Sequence, residues 1–171
     1  MNTLYQNHQS ITEIPCSITG ASPDAAQAQG SPELAGGWIV TSWTSPDGEV
    51  NSEPQRGLFV FTETGHYSIM HVNSSEPRAP FSASSTDADR LAAFDPFTAN
   101  SGRYRVAGNV ITYEAYVAKN PGYMAGFMSD EGNAVSMTYA IEDGTLTLEW
   151  TGGNSAGRKA TLRRPGGGGG N

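Results

Sequence analysis

The sequence predicts an all-β protein, an eight-stranded antiparallel barrel with one short helix. Three observations predict it. Runs of seven to ten β-favouring residues recur through the middle of the chain. Several of them are joined by two-residue turns containing glycine. Only the segment between the third and fourth runs has the cap and spacing of a helix.

The first strand is "GWIVTSW" (37–43), ended by the turn residues "SPDGE". "GLFVFTE" (57–63) and "HYSIMHV" (66–72) flank Thr64-Gly65 as a hairpin. The helix is expected within "STDADRLAAFDPF" (85–97), where Thr86 and Asp89 have capping-box spacing. Asp87 and Asp89 suit the positive end of its dipole, and Asp95-Pro96 stops it. Leu91 and Phe94 form its apolar stripe, expected to pack on the outside of the sheet or over an opening. Then come "GRYRVAG" (102–108) and "NVITYEAYVA" (109–118), followed by "NAVSMTYAIE" (133–142) and "TLTLEWT" (145–151) around Asp143-Gly144. "RKATLRR" (158–164) closes the set. Eight such strands make a barrel or a sandwich. Pairing the first strand with the last makes a barrel and removes the exposed edges.

The chain divides into three parts. Residues 1–32 are polar and read as a disordered or loosely attached leader, 33–164 as the barrel domain, and 165–171 ("PGGGGGN") as a flexible tail. "AAQAQG" (25–30) resembles the small-residue end of an export signal but follows no continuous apolar segment, which leaves the compartment open. The chain has 171 residues and a net charge of −7, which disfavours nucleic acid as a partner. No stretch has the length of an apolar membrane span. The single cysteine, Cys16, rules out an intrachain disulfide framework.

"LAGGWIVTSW" (34–43), "RGLFVFTETGHYSIM" (56–70) and "FDPFTANSGRYRV" (94–106) resemble, in order and spacing, the lipocalin-like domains of bacteria and fungi. The resemblance runs over roughly residues 34–150. It implies that Trp38, in the Gly-x-Trp of the first strand, plugs one end of the barrel. It also implies that an arginine of the last strand, Arg163 or Arg164, packs over that ring. By alternation, Arg164 shares the face of Ala160 and Leu162. In that family the strand after the third motif often carries a histidine. Here it reads "ITYEAYV", and no role of that histidine is carried over.

Candidate chemistry is sparse. "GNSAG" (153–157) matches a nucleophile-elbow pattern around Ser155, but strands on both sides deny it the strand–turn–helix setting. His66 and His71 lie five apart on one strand and point to opposite faces, so no metal site is expected. Nor is a cofactor. Glu114 has two open readings, a solvent-facing residue or a buried acid/base group if its face looks inward. Phe59, Phe61, Tyr113 and Tyr139 are candidates for the wall of an interior site. Tyr123 and Phe127, with Met124 and Met128, sit in a Gly-rich segment, 119–133, that suits a lid at the barrel mouth. The expected function is binding of a small hydrophobic or amphipathic molecule inside the barrel. The alternatives are an isomerase or cyclase acting on a polyketide- or terpenoid-like substrate with Glu114 or a tyrosine as acid/base group, and a barrel with a filled core.

Overall fold

Among the described residues, nine strands and one α-helix follow in chain order: β1 (Gly36–Thr44), β2 (Val50–Asn51), β3 (Leu58–Phe61), β4 (His66–Val72), α1 (Asp87–Phe94), β5 (Phe97–Ala107), β6 (Val110–Ala118), β7 (Val135–Glu142), β8 (Thr145–Trp150) and β9 (Lys159–Arg163). The structure, a computed structural model, describes residues 30–124, 135–152 and 155–166. Every pairing is antiparallel, and β1, β3, β4, β5, β6, β7, β8 and β9 are neighbours in sequence order. β1 also pairs with β9, from Ile39↔Arg163 to Thr44↔Lys159. That ladder closes eight strands into a barrel. The two-residue β2 extends pairing along the last residues of β1.

Alternation sorts the side chains. In β6, Ile111, Tyr113 and Ala115 are buried while Tyr116 and Val117 are exposed. In β8, Leu146, Leu148 and Trp150 point inward, and in β9 Ala160 and Leu162 do. Burying each large apolar side chain contributes roughly 1.5–3 kcal/mol. One bulge changes this arithmetic. The β1–β9 register shifts between Val40 and Ser42, so Trp43 lies opposite Ala160 and packs against the core. Trp38 and Trp43 are five apart and would otherwise face opposite ways; the extra residue turns both toward the interior.

The connections sort by end. The turns at 62–65, 108–109 and 143–144 are tight and lie at the end where β1 begins and β9 finishes. The long connections β1–β3, β4–β5, β6–β7 and β8–β9 all lie at the other end.

Three expectations need correction. β5 begins at Phe97 rather than 102, because "FTANS" pairs with Val72–Ser68 despite its weak β character. The helix forms with its capping box, Asp89 N–H donating to Thr86 Oγ1 at 3.2 Å and Thr86 N–H to Asp89 Oδ2 at 2.8 Å. Its stripe, however, faces solvent: Leu91 and Phe94 are exposed and only Ala93 is buried. α1 is held at its end by Lys119, whose Nζ donates to Asp95 O at 2.9 Å and lies 4.4 Å from the Phe94 ring centre. Finally, Gly30 and Ser31, assigned to the leader, pack on the barrel. A Cβ on Gly30 would meet the Glu63 carbonyl at 2.5 Å, and Ser31 N–H donates to the Tyr104 hydroxyl at 3.1 Å.

Candidate functional site

The end at which β1 begins is sealed. Trp38 is buried, and its Nε1–H donates to Leu34 O at 2.7 Å. The Arg164 guanidinium lies 3.9 Å from the Trp38 ring centre, donating to Glu33 O at 2.9 Å and to Ala35 O. Gly36 makes room for it. Its φ is +111°, and any Cβ there would collide with Arg164 Nη1. Tyr104 OH donates to Thr62 O at 2.8 Å, and Tyr139 OH donates to Glu33 Oε1 at 2.5 Å. Arg163 is exposed on the outer face of the barrel.

The opposite half is built differently. Beneath its mouth the rings of Trp43, Phe59, His71 and Trp150 pack into one cluster. Trp43 lies 4.6 Å from His71 and 5.7 Å from Trp150, and Phe59 lies 6.0 Å from His71 and 6.4 Å from Trp150. Close approach of β3 to His71 depends on Gly57, where a Cβ would stand 2.7 Å from the His71 Cβ. Tyr67 and Tyr113 meet edge to face at 5.0 Å, and Trp150 Nε1–H donates to Tyr113 OH at 3.2 Å.

Four buried polar atoms of this interior have no hydrogen-bond partner among the described residues: Trp43 Nε1, Tyr67 OH, His71 Nδ1 and Asn100 Oδ1. Burial, and then the charge of Arg158, lowers the His71 pKa to about 4, so the ring is neutral at pH 7. Burial also raises the pKa values of Tyr67 and Tyr113, the latter to about 12. The interior therefore offers neutral donors and acceptors in an aromatic setting, not ionised groups.

Beside this cluster, meeting it at Trp43, lies a cavity of about 150 Å³ lined by Trp43, Thr44, Ser45, Asn51, Val72, Asn73, Ser74, Ser75 and Arg158. It opens between the β1–β3, β4–β5 and β8–β9 connections.

The sequence candidates divide between the two ends. Phe59 and Tyr113 belong to the aromatic half under the mouth. Phe61 and Tyr139 belong to the sealed end. Phe61 is fully buried against Tyr104 at 5.2 Å, and Tyr139 is tied to Glu33, so neither lines the mouth. Tyr123, in a short 3-10 helix (Pro121–Met124), lies close enough to Tyr67 and Tyr113 to disfavour ionisation of both. Phe127 and Met128 lie outside the described residues.

Glu114 stands on the outer face. Arg103 Nη2 lies 2.7 Å from its Oε2 and Arg105 Nη2 lies 3.6 Å from its Oε1. The inward reading of Glu114 is overturned, because alternation in β6 gives the interior to Tyr113 and Ala115. The isomerase or cyclase reading thereby loses Glu114 as its acid/base group and keeps only a tyrosine.

Asn100 and Arg158 are not candidates from sequence, and His71 is weighed there only as a metal ligand. Trp43 turns inward only through the bulge, for which the sequence carries no local signal. Arg158 reaches the mouth only because β9 closes onto β1.

No family model matches the sequence, and no curated protein does. Two solved structures are similar. One is a lipocalin-like protein from Bacteroides uniformis ATCC 8492, at 19% identity over 78% of this chain and 99% of that chain, with a TM-score of 0.47. The other is an uncharacterized protein from Bacteroides eggerthii DSM 20697, at 15% identity over 77% of this chain and 99% of that one, with a TM-score of 0.44.

Proposed function

We propose that this lipocalin-like barrel binds a small hydrophobic or amphipathic molecule through its open end. The observation that carries the reading is the concentration of unpaired buried polar atoms in one half. Trp43 Nε1, Tyr67 OH, His71 Nδ1 and Asn100 Oδ1 all lack a partner among the described residues. Proteins pair the great majority of their buried polar groups, and leaving one unpaired costs about 1–3 kcal/mol. A ligand with a flat apolar body and one or two polar atoms meets both demands of this interior. Its body stacks on Trp43, Phe59 and Trp150, and its polar atoms satisfy the indole N–H or the imidazole nitrogen. Phe59 and Tyr113 are buried in the aromatic layer next to Trp43 and Trp150, and in this reading they support the ring that meets the ligand.

The test uses the three indole N–H signals in a proton–nitrogen correlation spectrum, with Trp43 assigned through Trp43→Phe. Phenol and benzyl alcohol are titrated separately. A saturable shift of the Trp43 signal is expected, with the Trp38 signal, bonded to Leu34 O, left in place. If neither compound moves the Trp43 signal saturably, the binding reading fails.

A further inference from the structure

The cavity at the mouth is positively charged in an acidic protein. Of its nine lining residues one is a cation, Arg158, and none is an acid, in a protein whose net charge is −7. Arg158 forms no ion pair among the described residues. The acid nearest to it in sequence, Glu149, nine residues earlier, is paired with Lys159 at 3.1 Å. The backbone of Arg158 is fixed on both sides, its N–H donating to Ser155 O at 3.0 Å and its carbonyl accepting from Trp150 N–H at 2.9 Å. The side chain thus starts from a rigid point on the rim. Across the same cavity stands Trp43, whose Nε1–H is a buried donor without an acceptor. The cavity therefore sets one cation with no ion pair among the described residues beside one indole ring.

We infer that the occupant is a small organic anion, a one-ring carboxylate whose charge rests on Arg158 and whose ring enters beside Trp43. This rests on the binding reading above and narrows it to a ligand class. A guanidinium presents paired N–H groups that match the two oxygens of a carboxylate, which makes arginine the residue suited to holding one at a half-open rim. Size sets the body: an apolar cavity of about 150 Å³ accommodates a benzene ring, and this cavity has about that volume. The ring stacks on Trp43 while its carboxylate stays at the rim, so the charge is not carried into the neutral interior around His71. The acidic surface elsewhere repels anions at long range, which leaves Arg158 as the local attraction.

The test compares benzoate with benzamide, two molecules of one shape that differ in charge, using the full chain at low ionic strength. Calorimetry gives the affinities, and the Trp43 indole signal reports the place. Benzoate is expected to bind at least about tenfold more tightly than benzamide, the scale of a charge-assisted hydrogen bond. Arg158→Gln is expected to erase that preference while leaving benzamide binding in place. Arg163→Gln, on the outer face, is expected to preserve it. Equal affinities in the wild type overturn the anion inference and leave the binding reading standing. A benzoate preference that survives Arg158→Gln also overturns it. Silence of both compounds sinks the binding reading and this inference together.

Discussion

The two ends of the barrel are made of the same kinds of side chain and finished in opposite ways. At the sealed end an indole, a guanidinium and two phenols all have partners: Trp38 with Leu34 O, Arg164 with Glu33 O and Ala35 O, Tyr104 with Thr62 O, and Tyr139 with Glu33. At the open end an indole, a phenol, an imidazole and an amide are buried with none among the described residues, and a guanidinium stands at the rim without an acid. The difference teaches what each end is for. The segment 33–35 ahead of β1 and the 62–65 turn bring acceptors close enough to meet these donors. Long connections leave donors and acceptors facing space, which costs stability unless something else meets them.

The largest effect belongs to the sealed end. Trp38→Ala removes a buried ring together with the surface on which Arg164 rests, and a loss of about 3–5 kcal/mol is expected in urea unfolding. A loss below about 1 kcal/mol would make this end dispensable and dissolve the contrast.

Acid sharpens the comparison from the other side. The His71 pKa falls from the ordinary 6.5 to about 4 on folding, so the unfolded chain binds its proton more readily than the folded one. Stability from the neutral ring is fully present above about pH 6.5 and is lost as pH falls toward about 4, with a slope of up to about 1.4 kcal/mol per pH unit. Below that, both states carry the proton and the loss stops growing. His71→Gln is expected to remove this component of the pH profile. An unchanged profile would place His71 in contact with water rather than in the interior.

How much of this was legible in the sequence follows from range. The Thr86–Asp89 capping box and the hairpins at Thr64-Gly65 and Asp143-Gly144 are decided within a few residues, and the sequence shows them. The closure of β1 on β9 follows from the count of strands and the cost of open edges. The extension of β5 back to Phe97 does not, because "FTANS" owes its strand geometry to β4 rather than to its own preferences. The open end was least legible. The inward turn of Trp43 depends on a bulge between Val40 and Ser42, and alternation alone gives the wrong face. Alternation could set Tyr113 and Glu114 on opposite faces but could not say which face was inside. That Leu91 and Phe94 face solvent follows from how α1 is tethered through Lys119, not from the spacing of its apolar residues.

The most direct measurement is a matched pair of substitutions that remove only a hydroxyl, one at each end. Tyr104→Phe deletes a group that donates to Thr62 O at 2.8 Å and accepts from Ser31 N–H at 3.1 Å. Tyr67→Phe deletes a buried hydroxyl with no partner among the described residues. Unfolding free energies for the two variants are predicted to diverge. Tyr104→Phe should lose about 1–2 kcal/mol, and Tyr67→Phe should stay level or gain up to about 1 kcal/mol. Equal losses at both positions, or a larger loss at Tyr67, would contradict the account, because the open end would then be as fully bonded as the sealed one.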